Sequence, residues 1–371
     1  MATINRRKDR GNRWEVRYRD PEGKQRARLF DRKFDAERFI ATTTADMVRG
    51  SYIDPKAGRQ TFGDYAAQWQ ACQVHRATTA SLAQSNLKNH ILPTFGPRPL
   101  AAIRPSEVQA WVKGRSAVLA PSTVETVYRY LAAILRAAAA DKVIAESPCR
   151  GVKLPKVEKS EVVPMATDAV EAVAAAMTER YRAAVVLAAG TGLRQGEVLG
   201  LTLPNVDFLR RTLRVEQQMV LLPGGPYLSP PKTDASRRTI PLPNVVVNAL
   251  AAHLVSFPVG PEGLVFTNAK GGRIVRSRFN EAWRRAVSAA GLSEELDFHD
   301  LRHYYASLLI RHGESVKVVQ ARLGHASATE TLDTYAHLWP DSEDRTRQAI
   351  DSVLGSTECA PDVHQPGAAD A

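Results

Sequence analysis

The segments His299-Asp300-Leu301-Arg302-His303, Leu323-Gly324-His325 and Thr334-Tyr335-Ala336-His337 carry most of the information in this chain. Five of the nine histidines lie between positions 299 and 337. Imidazole and guanidinium groups hold phosphodiesters, and a phenol is one of the few side chains that attacks one. This stretch therefore predicts chemistry on a phosphodiester.

A helix beginning near Phe298 is predicted for the first part of the stretch. It would place His299 and Arg302 one turn apart on one side. Its apolar residues recur at i, i+4 and i+7 and predict a buried stripe, made of Leu301, Tyr305 and Leu308. This pattern assigns Tyr304 and Tyr305 to packing and leaves Tyr335 as the free phenol.

A metal site is the competing interpretation of the histidines. His299 and His303 are four residues apart with Asp300 beside them. However, HDLRH is not the HExxH zinc motif, and the cation of Arg302 would repel a bound metal ion. We therefore expect no metal ligands here.

Two further motifs contain cations. In TGLRQGEVLGL (191–201), glycines mark a break after an apolar run, and Arg194 stands near the start of a new helix, where free backbone N–H groups favour an anion. Glu197 could hold a guanidinium in place, although a glycine turn with a surface Arg–Glu pair is the simpler alternative. In PPKTDASRRTIPL (230–242), Lys232 is predicted at the tip of a β-hairpin, where a lysine is usually only solvated.

The bulk composition is that of a basic globular protein. The chain has 371 residues, 44% of them hydrophobic, a formal charge of +11 and a pI of about 9.7. Residues 1–60 contain 16 Lys and Arg against 9 Asp and Glu, so most of the excess positive charge lies in this segment. A polyanionic partner explains this balance, and simple solubility is the alternative.

Neither the cysteines nor the apolar runs indicate a secreted or membrane protein. Cys72, Cys149 and Cys359 show no CxxC spacing, so neither a disulfide framework nor a zinc site is expected. No apolar run approaches membrane-spanning length, and the N-terminus lacks the apolar core of a signal peptide. We expect a cytoplasmic, nucleoid-associated protein in a bacterial host.

The N-terminal residues 1–55 are predicted to form a small β-sheet with a helix. Apolar and charged residues alternate over 13–19, a turn follows at Asp-Pro-Glu-Gly, and 24–30 forms the return strand before a helix at about 35–48. Arginines on this sheet could enter a DNA groove, and a solvated basic face is the alternative. The candidate DNA-binding residues are Arg17 and Arg19, which would face out, and Arg26 and Arg28, which would share one face.

The rest of the chain is predicted to be mostly helical, so the fold class is α+β. Residues 61–152 form a helical domain, 153–164 a linker, and 165–355 a mainly α domain with a small antiparallel sheet. The composition of 356–371 predicts a disordered tail. The predicted helices are 61–72, 81–91, 106–113 and 122–140, with a Ser122–Glu125 capping box, then 167–187, 245–254 and 278–290; the predicted strands are 212–220 and 238–242.

At these motifs the chain resembles the tyrosine recombinases, the family of phage integrases and chromosome-dimer resolvases. The matching elements are TGLRQGE, the lysine of PPKTDASRRTIPL, HDLRH, LGH and the tyrosine ten positions after that histidine. Each is weak alone, but their order and spacing all fit. The resemblance covers 165–355, and 61–152 looks like the core-binding domain of the family. The N-terminal unit looks like the arm-binding domain of integrases that use two kinds of DNA site.

This resemblance implies that Tyr335 is the nucleophile. It would attack the scissile phosphate, form a 3′-phosphotyrosine and release a 5′-hydroxyl. Arg194 and Arg302 would hold the two non-bridging oxygens of the phosphate. A phosphotyrosine conserves the energy of the broken bond, so no cofactor, metal or ATP is expected.

The same resemblance assigns the remaining site residues. His299 and His325 would hydrogen-bond the phosphate and assist proton transfer. Lys232 would protonate the leaving 5′-oxygen. Glu197 would support the site.

The partners implied are double-stranded DNA at core and arm sites and a homotetramer that recombines it through a Holliday junction. A DNA-bending host factor and an excision factor could assist. The leading interpretation is a phage or prophage integrase. A recombinase of another mobile element has the same site residues, and a non-catalytic architectural DNA-binding protein would explain the charge alone.

Overall fold

The alternation of apolar and charged residues around Trp14 produces an antiparallel sheet. In the computed structural model, which describes residues 2–54, 56–158, 161–339 and 343–354, the N-terminal strands pair in the order β1-β2-β3. The predicted strands and the helix after them are confirmed. They are β2 (Arg13–Arg19), β3 (Gln25–Phe30) and α1 (Lys33–Val48), and a further strand that was not predicted, β1 (Thr3–Arg7), precedes them.

The register of this sheet separates its arginines. Arg17 pairs with Ala27, and Tyr18 pairs with Arg26. Paired residues share a face, and neighbours along a strand alternate. Arg17 therefore points with Arg19 to one face, whereas Arg26 lies on the face of buried Tyr18, against which α1 packs.

Arg26 and Arg28 share one face of the sheet, as predicted, and it is the face opposite to that of Arg17 and Arg19. The Arg26 guanidinium donates to Asp20 Oδ2 at 2.9 Å and also to Asp54. Arg28 lies over the ring of Phe39, with 5.1 Å between its Cζ and the ring centroid. Both side chains contact groups around the small apolar core: Arg26 binds carboxylates, and Arg28 lies over an aromatic ring.

A helical bundle follows, with a core of its own. Its apolar residues recur at helical spacing and bury a cluster that includes Phe62, Leu131 and Ile134. The helices are α2 (Phe62–Ala71), α3 (Ala77–Asn86), α4 (Leu92–Phe95), α5 (Pro105–Ser116) and α6 (Pro121–Ala140).

Two local predictions in this bundle are wrong. The helix predicted over 81–91 begins earlier, at Ala77, and its last five residues, Leu87–Ile91, form a π turn. The predicted capping box does not form, because α6 begins at Pro121 with Ala120 as its N-cap. Glu125 instead accepts from Arg129, one turn further along the helix, at 2.6 Å.

The predicted linker, 153–164, is attached at both of its ends. Lys153 N–H donates to Gln109 Oε1 at 2.8 Å, and Leu154 packs on the core of the bundle. Near the other end, Val162 packs against the cluster that contains Tyr335. The chain divides within this segment into two compact units, Met1–Lys159 and Ser160–Ala371.

The second unit is mainly helical with small antiparallel sheets, in agreement with the predicted class. One sheet has the order β4-β5-β8, and β6 pairs with β7. The strands are β4 (Val206–Asp207), β5 (Thr212–Val215), β6 (Gln218–Leu222), β7 (Gly225–Ser229) and β8 (Arg238–Pro241).

The helices of this unit surround a core that includes Leu187, Phe266 and Phe279. They are α7 (Thr167–Ala176), α8 (Glu179–Thr191), α9 (Gln195–Leu199), α10 (Asn244–Ser256), α11 (Arg276–Ala289), α12 (Asp300–Arg311), α13 (Val316–Leu323), α14 (Ala328–Tyr335) and α15 (Glu343–Leu354).

Three predictions for this unit need correction. The helix predicted over 167–187 is broken after Ala176 into α7 and α8. The strand predicted over 212–220 is two strands in different sheets. Lys232 is not at a hairpin tip: it lies in the exposed link between β7 and β8, which pair with different partners.

The predicted tail, 356–371, lies outside the described residues. Within the part that is described, no helix is long and apolar enough to cross a membrane.

Candidate active site

Arg194 and Glu197 are joined at the start of α9, as the sequence predicts. Arg194 is the N-cap, and its backbone N–H donates to Glu197 Oε2 at 2.9 Å. Its guanidinium Nη1 also donates to Glu197 Oε1 at 3.2 Å. The carboxylate thus fixes both the backbone and the side chain of Arg194, which remains partly open to solvent.

The main partner of Glu197 is Arg238, which is not among the predicted site residues. Arg238 donates from Nη1 and Nη2 to the two carboxylate oxygens, at 3.1 and 2.8 Å. Its Nε donates to the Arg322 carbonyl at 2.7 Å. The signal for Arg238 was its position two residues before buried Ile240, on the inward face of β8.

Arg302 is held deep in the protein by backbone carbonyls. The residue is 2% exposed. Its Nη1 donates to the Gly192 carbonyl at 2.8 Å and its Nη2 to the Leu323 carbonyl at 2.7 Å. These carbonyls stand at the C-terminal ends of α8 and α13, where the partial charge of a helix is negative. These bonds use two of the five N–H groups of the guanidinium.

The two glycines at these helix ends are required by geometry. Gly192 and Gly324 have φ of +64° and +66°, the left-handed region that ends many helices. A Cβ on Gly192 would lie 2.4 Å from Tyr305 Cδ1, and one on Gly324 would lie 3.0 Å from Arg238 Nη1. The TGL and LGH motifs therefore bring the backbone close to the arginines.

The expectation that Tyr335 is a free phenol is wrong. Tyr335 ends α14, is 1% exposed and packs in a cluster with Tyr305. Its hydroxyl lies 2.7 Å from His303 Nδ1. Tyr304 and Tyr305 are buried, as predicted, and the stripe of α12 that contains Leu301 is confirmed. The helix itself begins at Asp300, two residues later than predicted.

Of the two predicted histidines, His325 lies beside this phenol and His299 lies beside His303. The rings of His325 and Tyr335 are nearly parallel, with centroids 6.5 Å apart, and Thr331 Oγ1 holds His325 Nδ1 at 2.8 Å. His299, at the surface, meets the ring of His303 edge to face at 4.9 Å. The sequence suggested His303 only as a candidate metal ligand, and no local pattern indicated its contact with Tyr335.

Burial and positive charge set the ionisation of these groups. Burial raises the pKa of Tyr335 to about 12, although Arg302 and Arg194 oppose this. Burial lowers the pKa of His325 to about 3, helped by the same two arginines. Partial removal from water lowers the pKa of His299, with His303 and Arg302 adding to the effect.

Arg302 retains its charge near neutral pH. Burial, followed by the charge of Arg194, lowers the pKa of Arg302 to about 9. The site at pH 7 therefore combines guanidinium groups with neutral imidazoles and a protonated phenol.

The structure brings six of the seven predicted catalytic and supporting residues into one network. They are Arg194, Glu197, His299, Arg302, His325 and Tyr335, linked by the contacts and charge interactions above. No hydrogen bond among the described residues ties Lys232 to them.

Two family models cover most of the chain. Residues 156–341 match the phage integrase family, and residues 62–154 match the phage integrase central domain.

Known proteins resemble the chain over 80% to 93% of its length. A prophage phiRv2 integrase of Mycobacterium tuberculosis is 30% identical over 358 residues, 93% of this chain and 94% of the relative. An integrase of transposon Tn1549, solved with transposon right end DNA, has a TM-score of 0.68 at 21% identity and covers 80% of this chain and 100% of its own. A lambda integrase tetramer bound to a Holliday junction has a TM-score of 0.61 at 20% identity, with coverages of 88% and 96%.

Proposed function

This chain belongs to the phage integrase family of tyrosine recombinases, and from that premise we propose that it cuts and rejoins DNA through Tyr335. The protein is a site-specific recombinase. The observation that carries the residue assignment is the convergence of Arg194, Arg302 and Tyr335 on one buried network. Tyr335 would attack the scissile phosphorus, forming a 3′-phosphotyrosine and releasing a 5′-hydroxyl.

The two arginines would stabilise the transition state. Attack on a phosphodiester increases the negative charge on its non-bridging oxygens, and guanidinium groups held in place beforehand match that charge. The Glu197 carboxylate holds Arg194, and two carbonyls hold Arg302, so little reorganisation is needed when the phosphate arrives. His299 and His325, both with lowered pKa, would act as neutral hydrogen-bond donors to the phosphate.

Lys232 would protonate the leaving 5′-oxygen. It lies in the exposed link between β7 and β8, where a flexible ammonium group could reach bound DNA. This link joins strands of separate sheets, so its position does not depend on hairpin geometry. Tyr335 contacts His303 and His325 of its own chain, which favours attack by each protomer in its own site.

The proposed partners are double-stranded DNA and further copies of this chain. The related lambda integrase was solved as a tetramer on a Holliday junction, and the Tn1549 integrase was solved with its transposon end. We assign residues 61–152 to core-site binding, 1–55 to arm-site binding and 165–355 to catalysis. Accessory DNA-bending and excision factors would act on this complex in the nucleoid of a bacterial host.

A trapping assay tests the assignment. DNA sites are first isolated by in vitro selection with the Tyr335→Phe variant and then prepared as nicked duplexes, which release a short strand after cleavage. In EDTA, wild type should form a covalent protein–DNA adduct on a denaturing gel, and Tyr335→Phe should bind the same DNA without an adduct. An adduct with Tyr335→Phe would disprove the nucleophile assignment. Binding without an adduct in either protein would favour a non-catalytic DNA-binding protein.

A further inference from the structure

We propose that His303 is the general base that removes the phenol proton of Tyr335. The inference rests on the proposed function, because it requires Tyr335 to be the nucleophile. The geometry that carries it is the 2.7 Å contact between Tyr335 Oη and His303 Nδ1. Of the candidate site residues described above, His303 is the one whose side chain touches the attacking atom.

The buried phenol needs such a base. Tyr335 is almost fully enclosed, and burial raises its pKa to about 12. At neutral pH the nucleophilic phenolate would therefore be rare, although Arg302 and Arg194 favour it. A base at hydrogen-bond distance can accept the proton as the oxygen attacks, which is the arrangement that general-base catalysis requires.

The surroundings of His303 suit a neutral base that becomes charged during the reaction. Burial lowers the pKa of His303, so the imidazole is neutral near pH 7, and in the tautomer with the proton on Nε2 its Nδ1 accepts a proton. The charges of Asp300 and Asp297 raise the pKa of His303 and would stabilise the imidazolium once it forms. The charge of Arg302 lowers that pKa further. The titratable or charged groups around His303 are His299, Asp300 and Arg302 on or beside its helix, Asp297 in the preceding turn, and Tyr335 from α14.

The proton and electron movements balance. The Tyr335 Oη–H proton passes to His303 Nδ1, the Oη–phosphorus bond forms, and the bond from phosphorus to the 5′-oxygen breaks. Lys232 supplies a separate proton to that oxygen. On rejoining, the 5′-hydroxyl attacks phosphorus, the tyrosine oxygen leaves, and His303 returns its proton to it.

His303→Asn is the informative variant. Its amide can occupy the position of Cγ and Nδ1 and keep a hydrogen bond to Tyr335, but it cannot accept a proton. The matched control is His312→Asn, because exposed His312 caps the C-terminus of the same helix. Both full-length variants are compared with wild type on the nicked duplexes, by single-turnover adduct formation from pH 6 to pH 10. Gel shifts on the same DNA and thermal melting confirm binding and folding, and His303→Gln serves as a second variant.

The expected result is a change in the pH profile. At pH 7, His303→Asn should be slowed roughly 100-fold or more, within the usual range for general-base catalysis. The rate of adduct formation by His303→Asn should rise about tenfold per pH unit. Without the base, the reaction requires phenolate formed by loss of the proton to solvent, and the phenolate fraction rises about tenfold per pH unit below the phenol pKa. Wild type and His312→Asn should reach a plateau above the pKa of His303.

Three outcomes would overturn the inference. Equal rates for wild type and His303→Asn would show that no base is needed at this position. A loss of the same size at every pH would assign His303 to positioning alone. A faster His303→Asn would mean that the contact restrains Tyr335 before DNA binds. In all three cases, a wild-type adduct that depends on Tyr335 would leave the proposed function intact. If wild type formed no such adduct, both the proposed function and the role of His303 would be disproved.

Discussion

Arg238 holds Glu197 through two parallel hydrogen bonds, from Nη1 to Oε1 at 3.1 Å and from Nη2 to Oε2 at 2.8 Å. Both side chains are almost completely buried. The same Arg238 also reaches the carbonyl of Arg322, next to the LGH motif. This ion pair therefore joins β8, α9 and the end of α13. Because Glu197 also binds Arg194, the position of the partly exposed Arg194 depends on the buried Arg238.

Replacing Arg238 by alanine should destabilise the second unit. The buried Glu197 carboxylate would keep only Arg194, and breaking a buried pair by removing one partner costs about 3–5 kcal/mol. Urea denaturation of the full-length protein measures this loss. Arg210→Ala is the control, because Arg210 and its partner Asp207 are both exposed, so its loss should stay within about 0.5 kcal/mol. Equal effects of the two variants would contradict a structural role for the buried pair.

The stabilisation by Glu197 should disappear in acid. Burial opposes its ionisation, but the hydrogen bonds and charge of Arg238, with Arg194, lower the pKa of Glu197 below its ordinary value. A carboxyl whose pKa is lowered by folding stabilises the protein above its unfolded pKa of about 4.3, and that contribution is lost as pH falls through the folded pKa. The difference in unfolding free energy between wild type and Glu197→Gln should therefore narrow below about pH 4. A constant difference from pH 7 to pH 3 would refute this.

Gly192→Ala should be more harmful than the same change at Gly313. Both glycines have positive φ, so each substitution adds backbone strain of about 1 kcal/mol. Only at Gly192 would the new Cβ collide with a packed ring, that of Tyr305, and overpacking adds about 1–3 kcal/mol. Thermal unfolding of both variants measures the difference. Similar melting temperatures would show that Tyr305 moves aside without cost.

The N-terminal arginines should divide into two classes. Arg17→Ala and Arg19→Ala, on one face of the sheet, should weaken DNA binding by residues 1–55 and reduce its log–log salt slope by about 0.9 for each phosphate that is no longer neutralised. Arg26→Ala should instead destabilise the sheet, because Asp20 and Asp54 lose their partner. Fluorescence anisotropy with arm-site DNA at several salt concentrations separates the two effects. Unchanged slopes for both Arg17→Ala and Arg19→Ala would place the DNA on another surface.

Short-range patterns predicted much of this structure. Alternation over 13–19 identified β2, and the i, i+4 recurrence of Leu301 and Tyr305 identified the buried face of α12. Glu197 was expected to hold a guanidinium because three residues separate it from Arg194, and it does. In each case the relevant partners lie within about one helical turn or alternate along one strand, so the sequence contains the signal.

Contacts between distant residues account for the errors. The ion pair of Arg26 with Asp54 was not predicted, because Asp54 is 28 residues away and no local pattern links it to the sheet. Tyr335 was predicted to be free because Tyr304 and Tyr305 were assigned to packing, whereas its partner, His303, precedes it by 32 residues. The exchange of sheets after Val215 interrupts a continuous alternation, because tertiary pairing decides where a strand changes partners.

Arg302 is held by carbonyl groups rather than by a carboxylate, and this determines how far its electric field extends from the site. When a guanidinium is paired with a carboxylate, the two opposite charges largely cancel beyond contact distance. Arg238 beside Glu197 is such a pair. The dipoles of Gly192 and Leu323 orient Arg302 without cancelling its unit charge. In a protein interior that field is weakly screened, so under the proposed function it would attract an approaching phosphodiester before any hydrogen bond forms.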